Sequence, residues 1–231
     1  MREEKADSLS EFIEHTEFLG TVVGNVILFR GQPIKGNLLP SVARNNPKRD
    51  TTKNEKKVIE QLRLTGATFL AGSNPSSWDM LVLAQHFGLK TRLLDWTSNP
   101  LAALWFACSD KKAGDVYVYA LEADSLLIKN MYAKGPFVQS ETRVVQPKMD
   151  NVRIVAQHGC FTAHRYSKKS GKFVPLERNP KVNPFLTEFR IPKNKRTSIL
   201  ESLDRHGTNC KTLFPDLEGL CKHLDWKYQR T

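Results

Sequence analysis

The stretch from Gln85 to Ala107 is unusually dense in polar groups set against apolar ones. Arg92 and Asp95 flank Leu93-Leu94. Thr97, Ser98 and Asn99 bring two hydroxyls and an amide to the start of the next apolar run, and His86 ends the preceding one. Backbone N–H groups at a helix start, hydroxyls and a nearby guanidinium make a site for an anion or a nucleotide phosphate. His86 suits general-base work, because an unperturbed imidazole titrates at about 6.5. Arg30 is a second candidate. It ends the apolar run Val26-Ile27-Leu28-Phe29 and precedes Gly31, so its guanidinium can lie beside open backbone at a sheet edge and hold a phosphate or ribose. Each residue also fits a plain structural role: Ser98 or Asn99 as a helix cap, Arg92 paired with Asp95, His86 at a helix C-terminus, Arg30 in a strand-end ion pair.

The elements that must position these residues follow from apolar spacing. Ser8 to Glu11 fits a capping box ahead of a helix carrying Leu9, Phe12, Ile13 and Leu19, with Gly20 or Gly24 to end it. Val26–Phe29 reads as a buried strand, and Pro33, Gly36 and Pro40 keep residues 31–52 irregular. Helices are expected over 54–65, over 78–87 with Ser76 or Ser77 as cap, and from Pro100 through Cys108. Strands are expected at 91–94, 116–121, 153–156, 160–163 and 189–191, and helices at 195–205 and 215–228. Residues 165–183 read as an exposed basic hairpin or loop. Helices dominate the first half and strands the middle, so the fold class is α+β with a mixed or antiparallel β core flanked by N-terminal and C-terminal helices.

Composition narrows the classes. The chain has 231 residues, with 35 Lys+Arg against 24 Asp+Glu, a net charge of +11. With 40% hydrophobic residues it can bury a real core and is no disordered basic tail. The length suits a single domain over 1–231. No apolar stretch approaches the ~18–20 residues of a membrane span, and no signal core follows Met1. The four cysteines, Cys108, Cys160, Cys210 and Cys221, include no Cys-x-x-Cys pair. His158 and His164 have no Cys or acidic partner at ligand spacing, so no metal is expected. These features suit a reducing cytoplasm. The positive excess, spread over residues 44–57, 165–181 and 190–196, favours a polyanionic partner. The run Lys168, Lys169, Lys172 and Arg178, interleaved with Tyr166 and Phe173, fits either a phosphate backbone or a solvated hairpin.

Phe29-Arg30-Gly31-Gln32, followed by the run from Gln85 to Thr97 (QHFGLKTRLLDWT), strongly resembles the FRG domain, a family named for its Phe-Arg-Gly. Gln157–Thr162 looks like its third motif and Leu213–Leu220 like its closing segment, so the likeness extends over roughly residues 20–225. FRG domains in turn look like a distant branch of the ADP-ribosyltransferase fold. Leu28–Gly31 is similar to the aromatic-Arg-Gly ending that fold's first core strand. Thr97-Ser98-Asn99-Pro100 with Phe106-Ala107 is similar to its serine motif.

The resemblance implies NAD as substrate, bound by Arg30, Gly31, Gln32, Gln85, Arg92, Asp95 and Thr97. It implies catalytic roles for Arg30, Thr97, Ser98, Gln157 and His86. Arg30 would clamp the nicotinamide-side ribose and phosphate, Thr97 and Ser98 would fix that ribose, and Gln157 would occupy the place of the catalytic glutamate. The chemistry implied is glycosyl transfer through an oxocarbenium-like state, by a toxin-like or anti-phage effector, onto a nucleic acid (RNA favoured) or a protein. An antitoxin partner is compatible with that role. Gln157 departs from the pattern: a neutral amide can hydrogen-bond a ribose hydroxyl but is no base. Asp95 and Glu141 are the acids that could substitute. The departure keeps open a module that binds NAD, a nucleotide or RNA without turnover. A metal-dependent nuclease is disfavoured, because no paired carboxylates cluster with a lysine.

Overall fold

The computed structural model describes residues 1–19, 26–110, 114–128, 130, 133–148 and 152–228. In chain order its elements are β1 (Arg2–Lys5), α1 (Leu9–Glu17), β2 (Ile27–Gln32), α2 (Thr52–Thr65), α3 (Ser77–His86), β3 (Leu93–Thr97), α4 (Pro100–Ser109) and β4 (Val116–Glu122). There follow β5 (Arg143–Val145), α5 (Val152–Ala156), β6 (Gly159–Ala163), β7 (Tyr166–Ser167), β8 (Lys172–Phe173), β9 (Leu186–Ile191), α6 (Arg196–Arg205), α7 (Cys210–Leu213) and α8 (Leu217–Tyr228). Seven strands form one mixed sheet in the order β1-β9-β4-β2-β3-β6-β5, and β7–β8 is a separate hairpin. Only β1 runs parallel to its neighbour, β9; the other ladders are antiparallel. This is an α+β fold, as the element pattern indicates.

Local chemistry explains most boundaries. Ser8 accepts the Glu11 N–H and starts α1, although Glu11 reaches back to the Asp7 N–H rather than to that of Ser8. The glycines expected to end this helix lie outside the described residues. Ser76 and Asp79 form a reciprocal capping box on α3. Asn99, not Ser98, caps α4, accepting from the N–H groups of Leu101 and Ala102, with Pro100 in the first turn.

The strand expected at 91–94 runs instead over Leu93–Thr97, and one expected strand is a helix. Residues 153–156 form a helix rather than a strand. So short an apolar run carries no decisive period. Of its apolar residues only Ile154 is buried, while Val152 and Val155 are exposed. The turn ends where His158 takes a φ of 49°, a left-handed stop that is uncommon outside glycine.

The core lies on both faces of the sheet. On one face α1, α4 and α6 bury Phe12, Leu104, Ile199 and Leu203 against Phe29, Val118 and Phe189. Gly31 governs this packing, because a Cβ there would lie 1.9 Å from the Ala103 carbonyl oxygen and 2.6 Å from the Ala107 nitrogen. Only glycine lets α4 sit this close to β2. A further cluster ties α2 and α3, through Ile59, Trp78 and Leu81, to Leu93 and Phe161.

Candidate functional site

The central strands part company beside Arg30. β2 pairs with β4 along six residues, from Ile27 to Gln32, but meets β3 only at Phe29 opposite Thr97. Past that point β2 and β3 diverge. The gap widens into a cleft of about 450 Å³, lined by Arg30, Gly31, Gln32, Gln85, His86, Asp95, Thr97 and Gln157, with Phe106, Arg153, Phe161 and Phe214 among its walls. That volume lies within the ~300–1,000 Å³ range of small-molecule sites. Eight residues singled out from sequence thus meet in one place.

Arg30 lies at the cleft floor, its side chain 14% exposed. Nη1 donates to the Asp95 carbonyl at 2.8 Å, spanning the gap where ladder bonds stop, and Nε donates to Gln32 Oε1 at 3.3 Å. Among the described residues its only carboxylate neighbour, Asp95 Oδ2, is 3.8 Å away on a side chain 59% exposed, a weak counter-charge. Among the described residues Nη2 has no hydrogen-bond partner. Burial pushes the guanidinium pKa down to about 10, against the opposing pull of Asp95 and with a further push from Arg44. A cation so placed is short of negative charge and attracts an anion.

The neighbouring polar groups position this one. Gln32 is buried, and its amide donates to the carbonyls of Ile34 and Gly36, which fixes the turn after β2. Gln85 donates to Asp95 Oδ1 at 2.9 Å and accepts from the Thr91 hydroxyl, so α3 sets the Asp95 carboxylate. Thr97 is 5% exposed; its hydroxyl donates to the Gln157 carbonyl at 2.6 Å and accepts from the Asn99 N–H. Gln157 donates its amide to the Leu213 carbonyl at 3.1 Å, tying α5 to the C-terminal segment. Thr97 and Gln157 therefore hold two walls together, and among the described residues the Gln157 side-chain oxygen has no hydrogen-bond partner.

Two expected site residues lie elsewhere. Ser98 is exposed, outside the cleft lining, and uses its N–H on the His158 carbonyl. Arg92 does not line this cleft, nor does it pair with Asp95. It is 2% exposed and makes a two-point ion pair with buried Glu55, Nε to Oε2 at 3.2 Å and Nη2 to Oε1 at 3.0 Å, below the ring of Phe137. Glu141 is likewise committed outside the cleft, to Arg143 and Lys181. Gly31 lines the cleft, but its missing side chain answers to α4.

The aromatic wall escaped sequence reasoning. Phe106 of α4 and Phe214 meet edge-on at 6.0 Å, and Arg153 lies 5.6 Å from the Phe214 ring while bonding Asp216 at 2.6 Å. The signal was the spacing Phe214-Pro215-Asp216-Leu217-Glu218-Gly219. Asp216 accepts the Gly219 N–H, and a Cβ at Gly219 would strike the Phe214 carbonyl at 2.0 Å.

Comparison with known proteins gives a narrower likeness than the motifs implied. Residues 25–116 match the FRG domain family. No curated protein and no solved structure matches the chain. The FRG match holds β2, β3 and α2 to α4, hence Arg30, Gln85, His86, Asp95 and Thr97. Gln157, Phe214 and strands β5, β6 and β9 lie beyond it, so the cleft is completed by chain outside the FRG match.

Proposed function

We infer that the cleft binds NAD and that the chain transfers ADP-ribose from it. The observation that carries this reading is Arg30, a guanidinium at the floor of a strand-gap cleft with one nitrogen unpartnered and only an exposed carboxylate nearby. A diphosphate would supply the missing charge. The ribose would then lie toward Thr97 and Gln157, with the Gln157 side-chain oxygen as acceptor for a ribose hydroxyl. The nicotinamide–ribose bond would break first, with charge developing on the ribose, and the acceptor would attack from the opposite face. Asp95 is the carboxylate nearest Arg30 and His86 is the imidazole in the lining; either can take the acceptor's proton. The aromatic wall of Phe106 and Phe214 keeps water from the ribose.

A toxin-like or anti-phage role belongs to the same reading, as does a nucleic-acid or protein acceptor. Its setting would be the cytoplasm: all four cysteines are free thiols, and burial pushes Cys108 up to about 12, which makes it inert in a reducing compartment. A second reading, binding without turnover, draws on Gln157. This neutral amide is already spent in part on Leu213.

Incubation with NAD labelled in its adenosine half, together with cellular RNA, DNA and protein, separates the two readings. Transfer or nicotinamide release supports the first, and calorimetric NAD binding without either supports the second. Arg30→Ala is expected to abolish NAD binding at a stability cost of about 1–3 kcal/mol, because the mostly buried guanidinium gives up one carbonyl, one amide and a weak ion pair. A folded variant that still binds NAD refutes both readings.

A further inference from the structure

We propose that a basic face beside the cleft, formed by residues 44–57 and 165–172, docks the phosphate backbone of a single-stranded RNA. The two segments lie far apart in sequence, and tertiary structure joins them. Tyr166 donates its hydroxyl to the Lys48 carbonyl at 3.1 Å, and the Phe173 N–H donates to the Pro47 carbonyl at 2.8 Å. Phe173 is fully buried against Leu39 and Ala43, with the Tyr166 ring edge-on to it at 5.6 Å. The two aromatics that looked available for stacking are therefore anchors, and their task is to present charge.

Lys48, Arg49, Lys53, Lys168, Lys169 and Lys172 are all exposed, and among the described residues none is in an ion pair. Two acids lie within these segments. Glu55 is buried against Arg92. Asp50 is held below the usual carboxylate range by hydrogen bonds from Thr52, with Arg92 and Lys168 adding to the effect, so Lys168 of the hairpin lies within electrostatic reach of the other segment. At the opposite end Arg44, whose Nε donates to the Leu39 carbonyl, is near enough to Arg30 to lower its pKa. A groove of about 300 Å³ along this face is lined by Asn45, Arg49, Asn54 and Lys90, together with Val58 and Leu89. Thr91, in the wall of that groove, donates its hydroxyl to Gln85 of the cleft lining, so the face adjoins the cleft.

The occupant follows from what the face lacks. Residues 44–57 and 165–172 expose no large apolar side chain, and the groove along them adds only the two separate side chains of Val58 and Leu89 to the exposed surface. A protein partner is held by an apolar interface core, and a membrane by an apolar stripe beside the charge. A polyphosphate needs charge alone. The choice of a single strand over a duplex rests on the transferase reading, because an unpaired nucleotide can enter a cleft whereas a stacked one must first be extruded.

The test is fluorescence anisotropy of a labelled 20-nucleotide single-stranded RNA, without NAD, from 50 to 200 mM salt. Binding should weaken steeply with salt, by about 0.7 in the log–log slope per phosphate contact. Lys168→Ala/Lys169→Ala should reduce that slope by about 1.4 and weaken binding about tenfold or more at low salt. Lys222→Ala/Lys227→Ala removes the same charge from α8, where the lysines pair with Glu218 and Asp204 instead of facing outward unpaired, and should change affinity less than about threefold. No binding, equal losses in the two double variants, or tighter binding to duplex RNA of the same length overturns the proposal. RNA binding without NAD cleavage supports the face and removes the transfer reading. NAD cleavage without RNA binding overturns the face alone.

Discussion

Replacing Arg92 by methionine separates a structural guanidinium from a substrate-binding one. The Arg92 and Glu55 side chains are 2% and 4% exposed, and the pair is joined at two points, 3.2 and 3.0 Å, with a third bond from Nη2 to the Thr52 hydroxyl at 3.1 Å. Methionine keeps most of the aliphatic stem, so the cavity contribution is small. What remains is a buried Glu55 carboxylate with the Thr51 hydroxyl at 2.8 Å as its remaining named donor. Removing one partner of a buried pair costs about 3–5 kcal/mol, a large share of the roughly 5–15 kcal/mol that holds a domain folded. With a urea slope near 2 kcal/mol/M, the midpoint should fall by about 1.5–2.5 M. Equilibrium urea titration followed by far-UV circular dichroism measures this directly. The double variant Glu55→Met/Arg92→Met should regain most of the loss, because the stranded charge goes with its partner. If Arg92→Met shifts the midpoint by less than the equivalent of about 1 kcal/mol yet abolishes NAD binding, the assignment is wrong and Arg92 is a ligand residue.

Two further outcomes follow from packing and burial. Gly31→Ala places a methyl 1.9 Å from backbone that cannot rotate away, so α4 must shift; the expected loss is about 3 kcal/mol, read as a lower thermal midpoint. His164 is buried, with Nε2 on the Thr162 hydroxyl at 3.1 Å and Nδ1 without a partner, and burial followed by the charges of Arg30 and Arg92 pushes its pKa down to about 3. Below pH about 6.5 the unfolded chain takes a proton there that the folded chain refuses until about 3, so stability falls as pH drops through that window. Between pH 6 and 4 this residue should account for roughly 2–3 kcal/mol, and urea midpoints of His164→Gln should show a correspondingly shallower pH slope.

Much of the fold was legible because its signals are local. Ser76 with Asp79, and Asn99 with Pro100, announce helix starts through hydrogen bonds made within one turn. The continuous apolar run Val116–Leu121, rich in β-branched and aromatic residues, marks a buried strand. Two strands were not legible. β1 is fully exposed and owes its conformation to pairing with β9, and β5 is three residues long and exists through β6. The segment at 153–156 misled because so short an apolar run fits either period, and the helix is decided by Ile154 alone facing the core.

The sequence by itself determined which residue types each segment supplies to the cleft: a guanidinium after an apolar strand, an amide and an imidazole at a helix end, a threonine before a capped helix. These are properties of short segments, and their order along the chain survives any packing. Only tertiary structure decided their employment. Arg30 and Arg92 are the same residue type at comparable places beside apolar strands. One lies where β2 and β3 separate and lacks a full partner, while the other meets Glu55 on α2 and is spent on the core. Tyr166 and Phe173, likewise, became anchors rather than stacking platforms when the hairpin docked on residues 47–48. Burial and pairing depend on which distant segment arrives at each side chain, and that information is carried by the packed whole.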